Sequence, residues 1–284
     1  MPVAGSYLPK GRSLDAINRY FGTLRYVCGY GVALGNPQAL QVKTILGEIK
    51  FPRSAPRSVV IPRGDVRKIV DAADAAGAAD FALGILLQFE FGLRPVDIRG
   101  NWLAIGQNDA AMGGIVRNGT RWQDGLTWDM VAEDYTGFSK VISKTAKSIP
   151  EPQHFDLSHN AEIRSRLRLP GNCGRVGPVI RSRHYIHPSA SPDEYLKLSM
   201  EPSLPYTDSG WRQAWNRYRD AAWLSKEFRV SDLRASAITE AKNLGATTET
   251  LRDIAVHMSS KTTERYMRDR SDNANKVVKL RSAK

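Results

Sequence analysis

The chain has 284 residues, 42% hydrophobic and 25% charged, enough for one large domain or an ordinary domain plus a small one, which excludes a disordered or collagen-like protein. With 41 Lys and Arg against 29 Asp and Glu, the formal net charge is +12, and this favours a polyanionic partner, either nucleic acid or an acidic membrane surface. Cys28 and Cys173 lack metal-ligand spacing and cannot build a disulfide framework, the apolar run Phe81 to Leu93 is too short to cross a bilayer, and the N-terminus lacks the apolar core of a secretory signal; the cytosol is the expected compartment.

In chain order, Ser13 reads as an N-cap, and Ile17, Tyr20, Phe21, Leu24, Val27 and Cys28 follow at helical spacing. A second helix after Asn36-Pro37 places Leu40, Ile45, Leu46 and Ile49 on its inner side. The Pro- and Arg-rich stretch 51–58 reads as a linker, with a boundary near Pro56. Gly64 to Ala73 and Ala78 to Phe91 are helices, the second apolar enough to be central. Residues 101–125 are rich in Gly, Asn and Asp with little periodicity, and predict a long loop or insertion. Strands are expected over Leu126–Met130 and Gly137–Lys144, with a turn between them, and residues 161–205 give no clear pattern. Helices return at Ser209–Leu224, Asp232–Leu244, Glu249–Val256 and Thr262–Arg268. The fold class is therefore mainly α with a small antiparallel β-sheet (α+β), divided into 1–55 and 56–284. Trp122, Trp128, Trp211, Trp215 and Trp223 are expected in the core rather than as base-stacking platforms.

Three stretches carry candidate chemistry. Arg94 follows the buried helix in Gly92-Leu-Arg-Pro-Val-Asp97, Lys144 sits in Ser143-Lys-Thr-Ala-Lys147, and Arg234 opens a helix in Ser231-Asp-Leu-Arg234. His257 and, nine positions later, Tyr266 complete an ordered set. Taken singly, each has a bland reading: an arginine on a helix dipole, a solvated lysine at a turn. Taken in order, Arg94, Lys144, Arg234, His257 and Tyr266 resemble the active site of the tyrosine recombinase (phage integrase) family, over residues 56 to 270.

That resemblance implies a site-specific DNA recombinase that cleaves and rejoins strands through a 3′-phosphotyrosine. Tyr266 would be the nucleophile, Arg94 and Arg234 would clamp the scissile phosphate with planar forks of donors, and Lys144 would be the general acid for the departing 5′ oxygen. His257 would donate a hydrogen bond to the phosphate, and Asp97 would support the site. It further implies a short helical core-binding domain before a tyrosine recombinase catalytic domain, no cofactor, metal or ATP, and double-stranded DNA as partner. A homotetramer (dimer of dimers) on DNA is expected, with sister recombinases or accessory factors as further partners. The basic tail Met267 to Lys284 is either solvated or docks on a neighbouring protomer. A bacterial, nucleoid-associated location follows.

The sequence departs from the family in three places. Ser231 stands where a histidine is usual, Val256 replaces the glycine that commonly precedes the histidine, and the 101–125 insertion, which resembles one in integrase-like proteins of proteobacterial mobile elements, widens the spacing after Arg94. The first 55 residues would make an abbreviated clamp. Two alternatives stay open: a non-catalytic helix-turn-helix regulator, parsed from Asp232 to Tyr266 with its turn at Gly245, and a type IB topoisomerase-like enzyme. The regulator leaves Arg94 and Lys144 without a role.

Overall fold

A computed structural model describes residues 13–55, 57–106, 114–168, 175–182, 191, 193, 203–247 and 250–251. His257, Tyr266, Val256, the tail and the expected helices Glu249–Val256 and Thr262–Arg268 lie wholly or almost wholly outside the described residues. The chain divides into two compact units, Met1–Arg57 and Ser58–Lys284.

In the first unit, α1 (Leu14–Ala33) begins where Ser13 Oγ accepts from the Ala16 N–H at 3.2 Å, and α2 (Pro37–Glu48) begins at Asn36, whose Oδ1 accepts from Ala39 at 3.1 Å. The helices approach closely at Gly31, where a Cβ would stand 2.8 Å from that of Ala39. Arg25 secures the far end, its Nε and Nη2 donating to the Leu46 and Ile49 carbonyls at the C-terminus of α2. Of the expected apolar face, Ile17 is buried but Tyr20 and Val27 are more than half exposed. Among the described residues of this unit the buried apolar side chains are Ile17 and Leu46, since a packed helix pair buries one face of each helix.

The second unit is built around α4 (Ala79–Glu90), in which every residue from Phe81 to Phe89 is buried. α3 (Arg63–Ala75) lays Val66, Ile69, Val70 and Ala73 on it. α7 (Asp208–Ala221) adds Trp211, which fits because Gly84 leaves room: a Cβ there would be 2.6 Å from the indole. The Phe81 ring lies 4.7 Å from Trp211 and 5.1 Å from Tyr218. α8 (Asp232–Asn243) also contacts α4. The segment entering this unit is fixed to α8: the Ile61 N–H donates to Ser236 Oγ at 2.8 Å, and Arg63 pairs with Glu240 and Glu90.

The α+β class is as read from the sequence, but the strands fall differently. The expected loop 101–125 contains a three-stranded antiparallel sheet in the order β1 (Asn101–Ala104), β3 (Thr120–Gln123), β2 (Val116–Arg117). Its hairpin turns on Asn118-Gly119, both at positive φ, the pair favoured in two-residue hairpins because its twist matches that of the strands. The expected strand Leu126–Met130 is instead a 3₁₀ turn, Trp128–Met130, with a single bridge from Thr127 to Pro178. β4 (Gly137–Lys140) is shorter than expected and pairs with β5 (Gln153–Asp156), stacking Phe138 on Phe155 at 4.7 Å. Residues 161–167, unread in the sequence, form α6 (Ala161–Leu167), capped by Asn160. Trp128, Trp211 and Trp215 are core residues, whereas Trp223 is 94% exposed.

Candidate active site

The turn after α4 sets Arg94. Gly92 takes a left-handed conformation (φ 57°), Leu93 is buried, and Pro95 disfavours the helical region for its predecessor, leaving Arg94 extended (φ −80°, ψ 150°) as the residue that opens α5 (Pro95–Arg99). One turn into α5, Asp97 is fully buried. Its Oδ2 lies 3.9 Å from Arg94 Nη1, too far for a hydrogen bond but close enough for strong attraction in a low-dielectric interior.

The other carboxylate oxygen of Asp97 makes the connection to the lysine. Oδ1 accepts from both the backbone N–H (2.9 Å) and the Oγ–H (2.7 Å) of Ser143. Lys144 follows directly, exposed, in the turn between β4 and β5. Beneath that turn lies a second lysine that sequence reasoning passed over. Lys140 is buried at the end of β4, its Nζ donating to the Gly125 carbonyl at 3.1 Å. Burial pushes its ammonium below the usual lysine range, against the opposing pull of Asp97, Asp124 and Asp129. The signal for it was alternation: Lys140 is two residues from buried Phe138, on the inward face of a strand.

Arg234, buried near the start of α8, donates from Nη1 to the carbonyl of Gly92. An arginine 142 residues away along the chain thereby grips the turn that carries Arg94. Ser231 precedes the helix, exposed, with helical backbone angles and a side chain that caps nothing. With Pro95 it lines a cleft of about 650 Å³. Arg94, Asp97, Lys144, Ser231 and Arg234 thus share one region of the unit, joined by the Gly92 turn and by Ser143. Among the described residues no group of three or more His, Cys, Asp and Glu could hold a metal ion, and no helix is long and apolar enough to cross a membrane.

Neither a family model nor a curated protein matches this sequence. Solved structures do match in three dimensions. XerA recombinase superposes with a TM-score of 0.51 at 12% identity, covering 96% of this chain and 84% of that one. A lambda integrase dimer bound to a COC′ core site gives 0.57 at 13% identity over 91% of this chain and 60% of that one, and the 75–356 fragment of that integrase gives 0.50 at 13%, over 93% and 84%. The fold is that of a tyrosine recombinase. The sequence boxes assigned no role to Gly92, Ser143 and Lys140, because their contacts with Arg234, Asp97 and Gly125 are made across the fold.

Proposed function

We propose that this chain is a site-specific DNA recombinase that breaks and rejoins strands through a tyrosyl ester at a 3′ phosphate. The observation that supports the reading is the bond from Arg234 to the carbonyl of Gly92, two residues before Arg94 in the chain. Two guanidiniums present planar donor forks to the non-bridging oxygens and stay charged at any physiological pH. They favour the phosphorane-like transition state, in which negative charge on those oxygens is greatest.

In this mechanism the phenolic oxygen of Tyr266 attacks phosphorus, the 5′ oxygen departs with a proton from Lys144, and a hydroxyl-bearing DNA end later reverses the ester. His257 donates to the phosphate. The proton of Tyr266 leaves without a histidine at position 231. Ser231 opens onto a solvent-wide cleft, and a serine is a poor base near neutral pH, so water there takes the proton. Residues 1–57 act as an abbreviated DNA clamp, and the working assembly is a tetramer built as two dimers on duplex DNA. The solved complex of lambda integrase, a dimer on its core site, has the same fold.

The test is a nicked suicide duplex that traps the covalent intermediate. A protein–DNA adduct that survives denaturation is expected for the native chain and absent in Tyr266→Phe. DNA binding with no adduct from either protein would sink the reading.

A further inference from the structure

Helix α7 ends unlike its neighbours. α1, α3 and α8 each close on a left-handed residue whose N–H bonds three residues back while the next N–H bonds five back. In those three helices the residue is Gly35 (φ 78°), Gly77 (φ 70°) or Gly245 (φ 101°). α7 makes the same pair of bonds, Trp223 to Asp220 and Leu224 to Arg219, both at 3.1 Å, but places Trp223 at φ 56°. The left-handed conformation brings Cβ against the neighbouring carbonyl, and a bulky residue there is an outlier. Leu224 packs on the core and supplies the apolar contact of the motif. Trp223 is 94% exposed, so no packing within the described chain offsets the strain.

The surroundings indicate what does. Trp223 stands in the chain between Arg219 and Lys226, both of which line the cleft that also holds Arg212, Arg229 and Ser231. Of the acids nearby, Asp208 is engaged by Arg99 and Arg212, Asp220 by Arg219 and Asp232 by the Arg229 backbone N–H, while Glu227 lies in the chain between Lys226 and Arg229. Among the described residues, no ion pair engages the side chains of Lys226 and Arg229; Trp223 does not itself line their cleft, but its exposed indole stands in the chain four residues after Arg219 and three before Lys226. Aromatic faces with flanking cations suit a nucleic-acid strand whose base is free to stack, whereas bases inside a duplex have both faces covered.

We propose that Trp223 is a stacking platform for an unpaired nucleobase, with the adjoining phosphates held by Lys226 and Arg229. This rests on the reading that the chain binds DNA, and extends it to strands that leave the duplex. The test uses the full chain with three labelled oligonucleotides: a duplex, that duplex with one bulged nucleotide, and a single strand, titrated at one salt concentration. Trp223→Gly should bind the bulged and single-stranded probes at least about fivefold more weakly, the low end of the effect of removing one stacked base. Its affinity for the intact duplex should stay within about twofold. Trp223→Phe should keep most of the native affinity. Because glycine relieves the strain, the same Trp223→Gly protein should melt about 2–4 °C higher, which separates weakened stacking from a damaged fold. Unchanged affinity for the bulged and single-stranded probes would overturn the proposal. So would a Trp223→Gly protein that loses self-association in sedimentation instead, which would mark a protein interface. A native chain that bound none of the three probes would reject the DNA reading as well; duplex binding with no role for Trp223 would reject this inference alone.

Discussion

Lys140 shows how one buried side chain can shape a site without entering it. Its ammonium is held by a single carbonyl and attracted by three aspartates, yet burial outweighs them and its affinity for the proton falls below the ordinary value of 10.5. The charged form is therefore less favourable in the folded chain than in the unfolded one. This destabilising contribution is fully present below the lowered folded value and disappears as pH rises toward 10.5, the range in which the unfolded chain binds more protons. The native protein should gain stability relative to Lys140→Met across that alkaline window, read as the difference between their melting midpoints against pH. Parallel curves would show that Lys140 is not desolvated in solution. The residue was visible in the sequence as a lysine at an inward strand position. Its neighbours were not, because Gly125 and Asp97 reach it only through the packing of the 3₁₀ turn and α5.

Among the elements, Ser143 latches the turn after β4 to α5. The two hydrogen bonds to Asp97 join the segment bearing Lys144 to the helix that begins at Arg94, across 46 positions of sequence. Ser143→Ala removes the hydroxyl bond, keeps the backbone bond, and leaves Asp97 a less satisfied buried carboxylate. Hydrogen bonds to charged groups contribute about 1.5–3 kcal/mol, so urea unfolding should detect a loss within that range. Single-turnover strand cleavage should slow by about tenfold while DNA affinity holds, as expected when a misplaced group loses its alignment but not its charge. A variant that loses affinity and keeps its cleavage rate would make Ser143 a DNA contact instead of a latch. The helices of this chain were legible from cap chemistry and period: Ser13, Asn36 and the Asn36-Pro37 start behave as their residue types require. The Asn118-Gly119 hairpin was equally legible from its turn residues, but the polar composition of 101–125 masked it. The 3₁₀ turn at Trp128–Met130 was not legible, since Leu-Thr-Trp-Asp-Met alternates as a strand does, whereas the Met130 and Val131 N–H groups bond back to the Thr127 and Trp128 carbonyls.

Across the full chain, charge is unevenly placed. The first 57 residues hold eight Lys and Arg against two Asp and Glu, half of the net charge in a fifth of the chain. Among the described residues of that unit the buried apolar side chains are Ile17 and Leu46, and the clamping role proposed for it would rest on phosphate contacts more than on a core. Binding of the native chain to duplex DNA should weaken steeply with salt, and residues 58–284 alone should show a shallower dependence, the log–log slope falling by about 0.9 for each phosphate no longer neutralised. An identical slope would remove the clamping role from residues 1–57. The core of the second unit runs from Ile61 to Ala237 within 58–284, so this truncation leaves it whole.

Helices, their caps, the mixed α+β class and the order of the chemical boxes could all be read from the amino acids in order, because periodicity, capping and residue type are local properties. Which groups meet could not, since that depends on how distant segments pack. The grip of Arg234 on the Gly92 carbonyl, the latch from Ser143 to Asp97 and the burial of Lys140 each join segments that lie apart along the chain. The exposure of Trp223 has the same origin: its residue type suggested the core, but it falls at the left-handed position that closes α7, and it is Leu224 that packs on the core.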